Sequence, residues 1–247
     1  MSTARTVAPL DAIRLSFGLL ARQLITRGRV LALLALGALV VVVAAAVGAS
    51  DGIDDHLQAA VGVVAGLGFT AVVPIVSLVF AAATLGDARE DGTLVYLWLR
   101  PIDRWPIVVG AWLAALAISL PVTLVPLTIA AAVSRAGSDL VVSTVLAATV
   151  GTLAYSALFL LFGLMVRNAI VWGIGFVLVW EGIFAGFGSS IAGLTIARYT
   201  RSIVVSMTGV DLELGTVSLT VGIVVPLVVA VGALALAGWR LASMDVD

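Results

Sequence analysis

Six long apolar runs, separated by short polar stretches, set the pattern of this chain. The runs cover about residues 30–47, 58–83, 107–133, 140–166, 169–187 and 216–237. Each is apolar around the whole helical circumference and close to or above the roughly 20 residues that carry an α-helix across a bilayer. The pattern predicts an all-α integral membrane protein, a single transmembrane domain over residues 1–247 with six transmembrane helices. Ahead of the first run, Pro9 suits a first helical turn. Leu10, Ile13, Phe17, Leu20 and Leu24 then recur at spacings of three and four, with Asp11, Arg14, Arg22 and Arg27 largely off that stripe. This predicts an amphipathic elbow helix over about 9–27, lying in the membrane interface. About 29 residues precede the first apolar run, which fits an uncleaved anchor better than a cleavable signal.

The polar stretches differ in kind. Between the first two runs, Asp51, Asp54, Asp55 and His56 form a short acidic loop. It is expected to be solvated, because no second cluster completes a metal shell. The stretch over about 84–105 is richer. Asp87, Glu90 and Asp91 precede Arg100 and Arg104, the order that complements a helix dipole, and Arg89 stands among the acids. Gly92 and Thr93 are placed to break or cap a helix, and Leu94, Tyr96, Leu97, Trp98 and Leu99 supply apolar contact area that a plain loop would lack. A docking surface is expected there. Over about 188–215, Ile191, Leu194, Ile196, Tyr199, Ile203 and Val204 alternate with Arg198, Arg201 and Ser202, which predicts short helices resting on the outer surface.

Within the runs, Pro74, Pro121, Pro126 and Pro226 predict kinks whose freed carbonyls need partners. Gly62-x-x-x-Gly66 and Gly182-x-x-x-Gly186 predict close helix approaches. The hydroxyls of Thr144, Thr149, Thr152 and Ser156 are able to bond within their own helix. Glu181 stands inside the fifth run, where a carboxylate costs on the order of 3 kcal/mol. Two readings have equal weight: a protonated or arginine-paired glutamate that locks helices together, and a group lining a transport path.

Composition agrees with the pattern. Hydrophobic residues make up 62% and charged residues 11%, too little polar surface for a soluble globule. The chain has no cysteine, which excludes disulfides, thiolate metal sites and cysteine nucleophiles. Its thirteen basic residues are all arginine, and without a lysine the nucleotide-binding loop Gly-x-x-x-x-Gly-Lys-Ser/Thr is impossible. If ATP drives this protein, another polypeptide binds it. No nucleic-acid footprint is present. With six spans, Arg5, Arg14, Arg22, Arg27, Arg29, Arg89, Arg100, Arg104, Arg167 and Arg240 fall on the side of the termini, and only Arg135, Arg198 and Arg201 on the other. The positive-inside rule then puts both termini and the 84–105 segment in the cytoplasm of a plasma or inner membrane. Trp105, Trp172 and Trp239 stand at the same interface, as an aromatic belt does.

The segment Gly86-Asp-Ala-Arg-Glu-Asp-Gly-Thr-Leu94 followed by Arg100-Pro-Ile-Asp-Arg-Trp-Pro-Ile-Val-Val-Gly110 resembles the permease subunits of type-two ATP-binding-cassette exporters, including those of drug-resistance and copper-linked maturation systems. Glu90, Gly92, Thr93, Arg100, Pro101 and Arg104 stand where that family carries Glu-x-Gly-Thr and Arg-Pro-x-Ser/Asp-Arg. Gly86-Asp87 replaces a serine common in relatives. Trp180-Glu-Gly182 and Ala197-Arg-Tyr199 are similar to a pattern of its shorter members. The resemblance implies that this chain exports a substrate without an ATPase site of its own. It would pair with a second permease copy or a paralogue in membrane lipid. A nucleotide-binding subunit, expected in two copies and carrying ATP and Mg, would dock on a coupling helix formed by Asp87, Arg89, Glu90, Asp91, Gly92, Thr93, Arg100, Pro101 and Arg104.

Three rival classes are weaker. Intramembrane proteolysis needs paired carboxylates or a serine with a histidine at membrane depth, and His56 is outside the spans. An ion-coupled carrier using Glu181 is expected to show repeated halves and more buried ionisable groups. A non-transporting membrane scaffold is compatible with composition alone.

Overall fold

The computed structural model describes residues 8–90, 104–183, 195–210 and 217–243, without the side chains of Ala88, Glu90, Gly182 and Ile183. Every regular element among them is helical. In chain order these are α1 (Pro9–Leu24), α2 (Arg27–Ala49), α3 (His56–Val63), a π-helical segment π1 (Val64–Val72) and α4 (Val73–Glu90). Then follow α5 (Arg104–Val133), α6 (Ser138–Met165), α7 (Ala169–Phe176), a second π segment π2 (Val177–Ile183), α8 (Ile196–Thr208) and α9 (Leu219–Ser243). Five helical stretches are long and apolar enough to cross a membrane: Arg27–Ala49, His56–Asp87, Arg104–Val133, Ser138–Met165 and Leu219–Ser243. Ala169–Glu181 is apolar but shorter. This is a multi-pass helical membrane protein.

α6 is the axis of the bundle. Leu140, Ala147, Ala154, Tyr155, Phe159 and Leu164 are buried along its length, and α4, α5, α8 and α9 pack around it. By contrast, α2 and α9 have only 22% of their spanning windows buried. Their apolar outer faces need a nonpolar surrounding, which lipid supplies.

The second apolar run does not end at residue 83. The helix continues through Gly86, Asp87 and Arg89 to Glu90, so the polar segment begins as an extension of a span. Pro74 acts through the π segment that precedes it. A proline has no N–H to return to the preceding turn, and the Val73 N–H bonds to Gly68 O, one residue further back than in an α-helix. Pro126 is used in packing: a Cβ on Gly37 of α2 would lie 2.6 Å from its Cγ, so only glycine lets α2 close on α5 there.

Other close approaches are made at glycines outside the predicted motif. A Cβ on Gly163 would lie 2.6 Å from Ala82 O, and one on Gly110 would lie 2.8 Å from Ser16 Cβ. At Gly62 and Gly66 nothing among the described residues lies within 4 Å, so that pair brings no described helix close. Gly182 and Gly186 lie outside what is described. The amphipathic pattern of α1 also resolves differently from the predicted stripe. Ala12, Ser16, Leu20 and Leu24 face the bundle, whereas Leu10 is 72% exposed and Phe17 lies at the surface. Ser16 fits against α5 at Gly110, and Leu20 and Leu24 are buried further along the helix.

The largest correction concerns residues 196–208. A helix resting on the surface was expected, but α8 buries Ile196, Ala197, Thr200, Ser202, Ile203, Val204 and Val205 against α6, α9 and π1. A Cβ on Gly151, at the middle of α6, would touch Thr200 Cγ2 at 3.0 Å, and one on Gly222, near the start of α9, would touch Ile203 Cγ1 at 3.1 Å. α8 therefore runs from the mouth of the bundle to its middle, with its N-terminus at the deep end.

Candidate functional site

Two clusters of polar side chains stand out, one at each depth of the bundle. The first lies at the arginine-rich end and includes the described part of the expected docking segment. Arg29 Nη2, at the start of α2, pairs with Asp87 Oδ2 at 3.3 Å. Arg89 Nη1 donates to Leu164 O at 2.8 Å, and Arg104 Nη1 donates to Leu241 O at 2.9 Å and to Ala242 O at 2.8 Å. Leu164 and Leu241 lie in the last turns of α6 and α9, whose carbonyls have no intrahelical donor. A guanidinium there meets both the missing hydrogen bond and the negative end of the helix dipole.

These bonds also fix direction. They bring the start of α2 to the ends of α4 and α6, and the start of α5 to the end of α9, so α2 runs antiparallel to α4, α4 runs parallel to α6, and α5 runs antiparallel to α9. A cleft of about 300 Å³ opens beside Arg89, Gly163, Val166 and Arg167. A second, of about 160 Å³, lies beside Ala82, Gly86, Asp87 and Asn168. The end of α4 thus stands between two indentations. Of the predicted docking residues, Asp87, Arg89 and Arg104 come together at this end, and Glu90 is placed by its backbone as the last residue of α4. Asp91, Gly92, Thr93, Arg100 and Pro101 lie outside the described residues, as do Leu94, Tyr96, Leu97, Trp98 and Leu99.

The second cluster surrounds Glu181, which is 1% exposed. Its two carboxylate oxygens accept from the backbone N–H groups of Ile196 and Ala197, each at 3.1 Å. Those are the first two residues of α8, and Thr195 before them gives no side-chain cap. A carboxylate from π2 therefore does what a serine or aspartate does at most helix starts, meeting two orphan donors and the positive end of the dipole. The Tyr155 hydroxyl lies beside the carboxylate, although its oxygen closes no regular hydrogen bond. Of the two readings of Glu181, this geometry is a helix lock, made with backbone donors instead of a guanidinium.

One turn along α8, Arg201 reaches into π1. Its Nε donates to Ala65 O at 3.2 Å and its Nη2 bonds the Thr70 hydroxyl, which itself bonds Ala65 O at 3.3 Å. Of the four hydroxyls expected to bond within their own helix, three do, Thr149 to Val145 O, Thr152 to Ala148 O and Ser156 to Leu153 O, while the buried Thr144 Oγ1 has no hydrogen-bond partner among the described residues. Ser156 also accepts from Trp112 Nε1 at 2.9 Å, which ties α5 to α6. In the acidic loop, Asp55 accepts from the Gln58 N–H at 2.9 Å and caps α3.

Sequence reasoning singled out Glu181 but passed over Arg201, Thr70 and Tyr155. A signal was available. Only three arginines fall on that side of the protein, and two of them, Arg198 and Arg201, stand on one short helical stretch downstream of the only acid inside a span. No protein-family model matches this chain, and no curated protein matches it.

Proposed function

We propose that this chain is the membrane-spanning subunit of an ATP-driven exporter of the ATP-binding-cassette type. The observation that carries the proposal is the anchoring of the 91–103 segment at both ends: Asp87 and Arg89 on one side and Arg104 on the other tie it to α2, α6 and α9. An α4 end and an α5 start that are each bonded to the ends of other helices are suited to pass a push from a docked subunit into the spans. Asp87, Arg89, Glu90, Asp91, Gly92, Thr93, Arg100, Pro101 and Arg104 form the docking surface, and ATP with its Mg belongs to two copies of the docked subunit.

In this reading the stretch beginning at Ala169 completes a sixth span, α1 is the elbow at the interface, and the termini face the cytoplasm of the cell membrane. A second copy of the chain or a paralogue covers part of the exposed apolar surface. The carrier reading centred on Glu181 has less support, because both carboxylate oxygens are engaged by backbone N–H groups of α8.

The test uses the absence of native cysteine. A Thr93→Cys chain purified from its native membrane is expected to come with a nucleotide-hydrolysing subunit and to cross-link to it. A Trp98→Cys chain is expected to resist membrane-impermeant thiol reagents applied to intact cells. Labelling of Trp98→Cys from outside, or a purified complex without ATPase activity, overturns the proposal.

A further inference from the structure

The cleft beside Arg89 carries a second arginine. Arg89 and Arg167 each stand two residues beyond the end of a spanning stretch, His56–Asp87 in one case and Ser138–Met165 in the other. Those two stretches run parallel and touch just before they end, where a Cβ on Gly163 would lie 2.6 Å from Ala82 O. Both guanidinium groups therefore stand at one depth, and both line the same cleft of about 300 Å³. Arg89 gives Nη1 to Leu164 O at 2.8 Å, whereas Arg167, exposed in the turn between α6 and α7, has no hydrogen bond or ion pair among the described residues. No carboxylate lines the cleft among those residues, and Asp87 borders the other indentation and pairs with Arg29. Two cations on one cleft repel each other. An anion between them converts that repulsion into charge-assisted bonds.

The membrane side of the cleft is apolar. Leu158, Phe162 and Met165 share one face of α6 at spacings of four and three, the first two half-buried and the third exposed. Phe162 lies against Phe176 of α7 with ring centroids 6.3 Å apart, and Trp172, whose N–H bonds Asn168 O next to Arg167, presents an exposed ring of the kind found at headgroup level. We infer that this cleft is a binding site for an anionic phospholipid of the leaflet at the arginine-rich end, with the phosphate between Arg89 and Arg167 and an acyl chain along Leu158, Phe162 and Met165. Basic pockets between spanning helices recognise anionic headgroups in this way. A dissolved anion would use the cations and leave the apolar strip idle. A zwitterionic lipid would bring a third cation to the two already there. The inference stands on the fold alone, and it holds with or without a subunit docked at the same end.

The test uses the full chain, which has no native cysteine, in nanodiscs of phosphatidylcholine. Met165→Cys places a bimane fluorophore at the edge of the strip, and lipids brominated on an acyl chain quench it on contact. Brominated phosphatidylglycerol is expected to reach half-maximal quenching at a mole fraction about tenfold or more below that of brominated phosphatidylcholine, as each of the two arginines favours the anionic lipid by about fivefold. Arg167→Gln is expected to shrink that preference by about fivefold, and Arg167→Lys to restore part of it. Arg240→Gln removes the same charge from the same end of the bundle and is expected to leave the preference unchanged. Native mass spectrometry of the unlabelled chain, released from an equal mixture of the two lipids, is expected to show phosphatidylglycerol retained in preference, and less so in Arg167→Gln.

Equal quenching by the two lipids, or their equal retention, overturns the inference. So does an Arg167→Gln chain that keeps the full preference. A loss in Arg240→Gln as large as in Arg167→Gln also overturns it, because the charge of the whole interface would then be responsible. Inorganic phosphate is the last arm: if it relieves the quenching at an ionic strength where chloride does not, the ligand is a dissolved anion and the lipid assignment falls. None of these outcomes bears on the docking of an ATPase subunit, which Thr93→Cys and Trp98→Cys test separately.

Discussion

The arginine-rich end and the Glu181 cluster use the same device at different depths. In both, a charged side chain from one helix meets the unpaired backbone groups at the end of another. At the arginine-rich end the groups are carbonyls and the caps are Arg89 and Arg104; the ion pair there, Arg29 with Asp87, is 34% and 48% exposed. Around Glu181 the groups are N–H donors and a π-segment carbonyl, and the carboxylate is 1% exposed. The bonds of the first region are part-buried or exposed, whereas the two to the Glu181 carboxylate are buried and the Arg201 bonds beside them part-buried. The rim ties are therefore individually weak and exchangeable, as suits a surface where another subunit binds. The inner ones are strong because the unbonded alternative is so unfavourable.

This contrast orders a set of substitutions by expected effect. Glu181→Ala should cost the most, about 3–5 kcal/mol, since it leaves two buried N–H groups without acceptors and removes the acid nearest Arg201. Glu181→Gln keeps one acceptor and should cost about 1–3 kcal/mol. Equilibrium unfolding in mixed micelles measures both, and an Ala variant as stable as the parent would falsify the capping role.

Gly151→Leu comes next. Its new side chain meets Thr200 Cγ2 and Val73 Cγ1 at van der Waals limits, and overpacking of this kind costs about 1–3 kcal/mol. If the variant unfolds with the parent's midpoint, α8 does not press on the middle of α6. Arg104→Ala should lose about 1 kcal/mol, because it uncovers the last carbonyls of α9 at a partly wetted site. Hydrogen exchange in the final turn of α9 should rise with it, and unaltered exchange would place the cap elsewhere. Asp87→Asn should change least, under about 0.5 kcal/mol, and the difference should shrink further in high salt. A large, salt-independent loss there would erase the contrast between the two regions.

The spans were legible because lipid imposes a simple rule, that a crossing helix must be apolar all round and long enough. The observed helices Arg27–Ala49, Arg104–Val133 and Ser138–Met165 lie within three residues of the predicted runs, Leu219–Ser243 ends six residues later than predicted, and the run from Ala169 gives only the shorter apolar helix Ala169–Glu181. Pro74 marks π1, whereas α5 and α9 run as unbroken α-helices through Pro121, Pro126 and Pro226. α8 was misplaced because its sequence, with Arg198, Thr200, Arg201 and Ser202 in one turn, is too polar to read as buried by composition. Thr200 and Ser202 donate to carbonyls of their own helix, and Arg201 finds Ala65 O and the Thr70 hydroxyl in a distant part of the chain that no local window contains. The Gly62-x-x-x-Gly66 spacing failed for the reverse reason: small residues permit an approach, but only the arrangement of the other helices supplies the helix that approaches.

The amino-acid order alone settled that this chain lives in a membrane as a helical bundle and that, without a lysine, it has no Gly-Lys phosphate-binding loop of its own. Each of these depends on the solvation of single side chains or on the presence of a residue type. The tertiary structure decided which carbonyls Arg89 and Arg104 cap, which N–H groups Glu181 holds, and that Arg201 reaches a π segment more than a hundred residues away. Those pairings follow from close packing in three dimensions, where a bond forms only if both partners arrive at one place with the right geometry and without water between them.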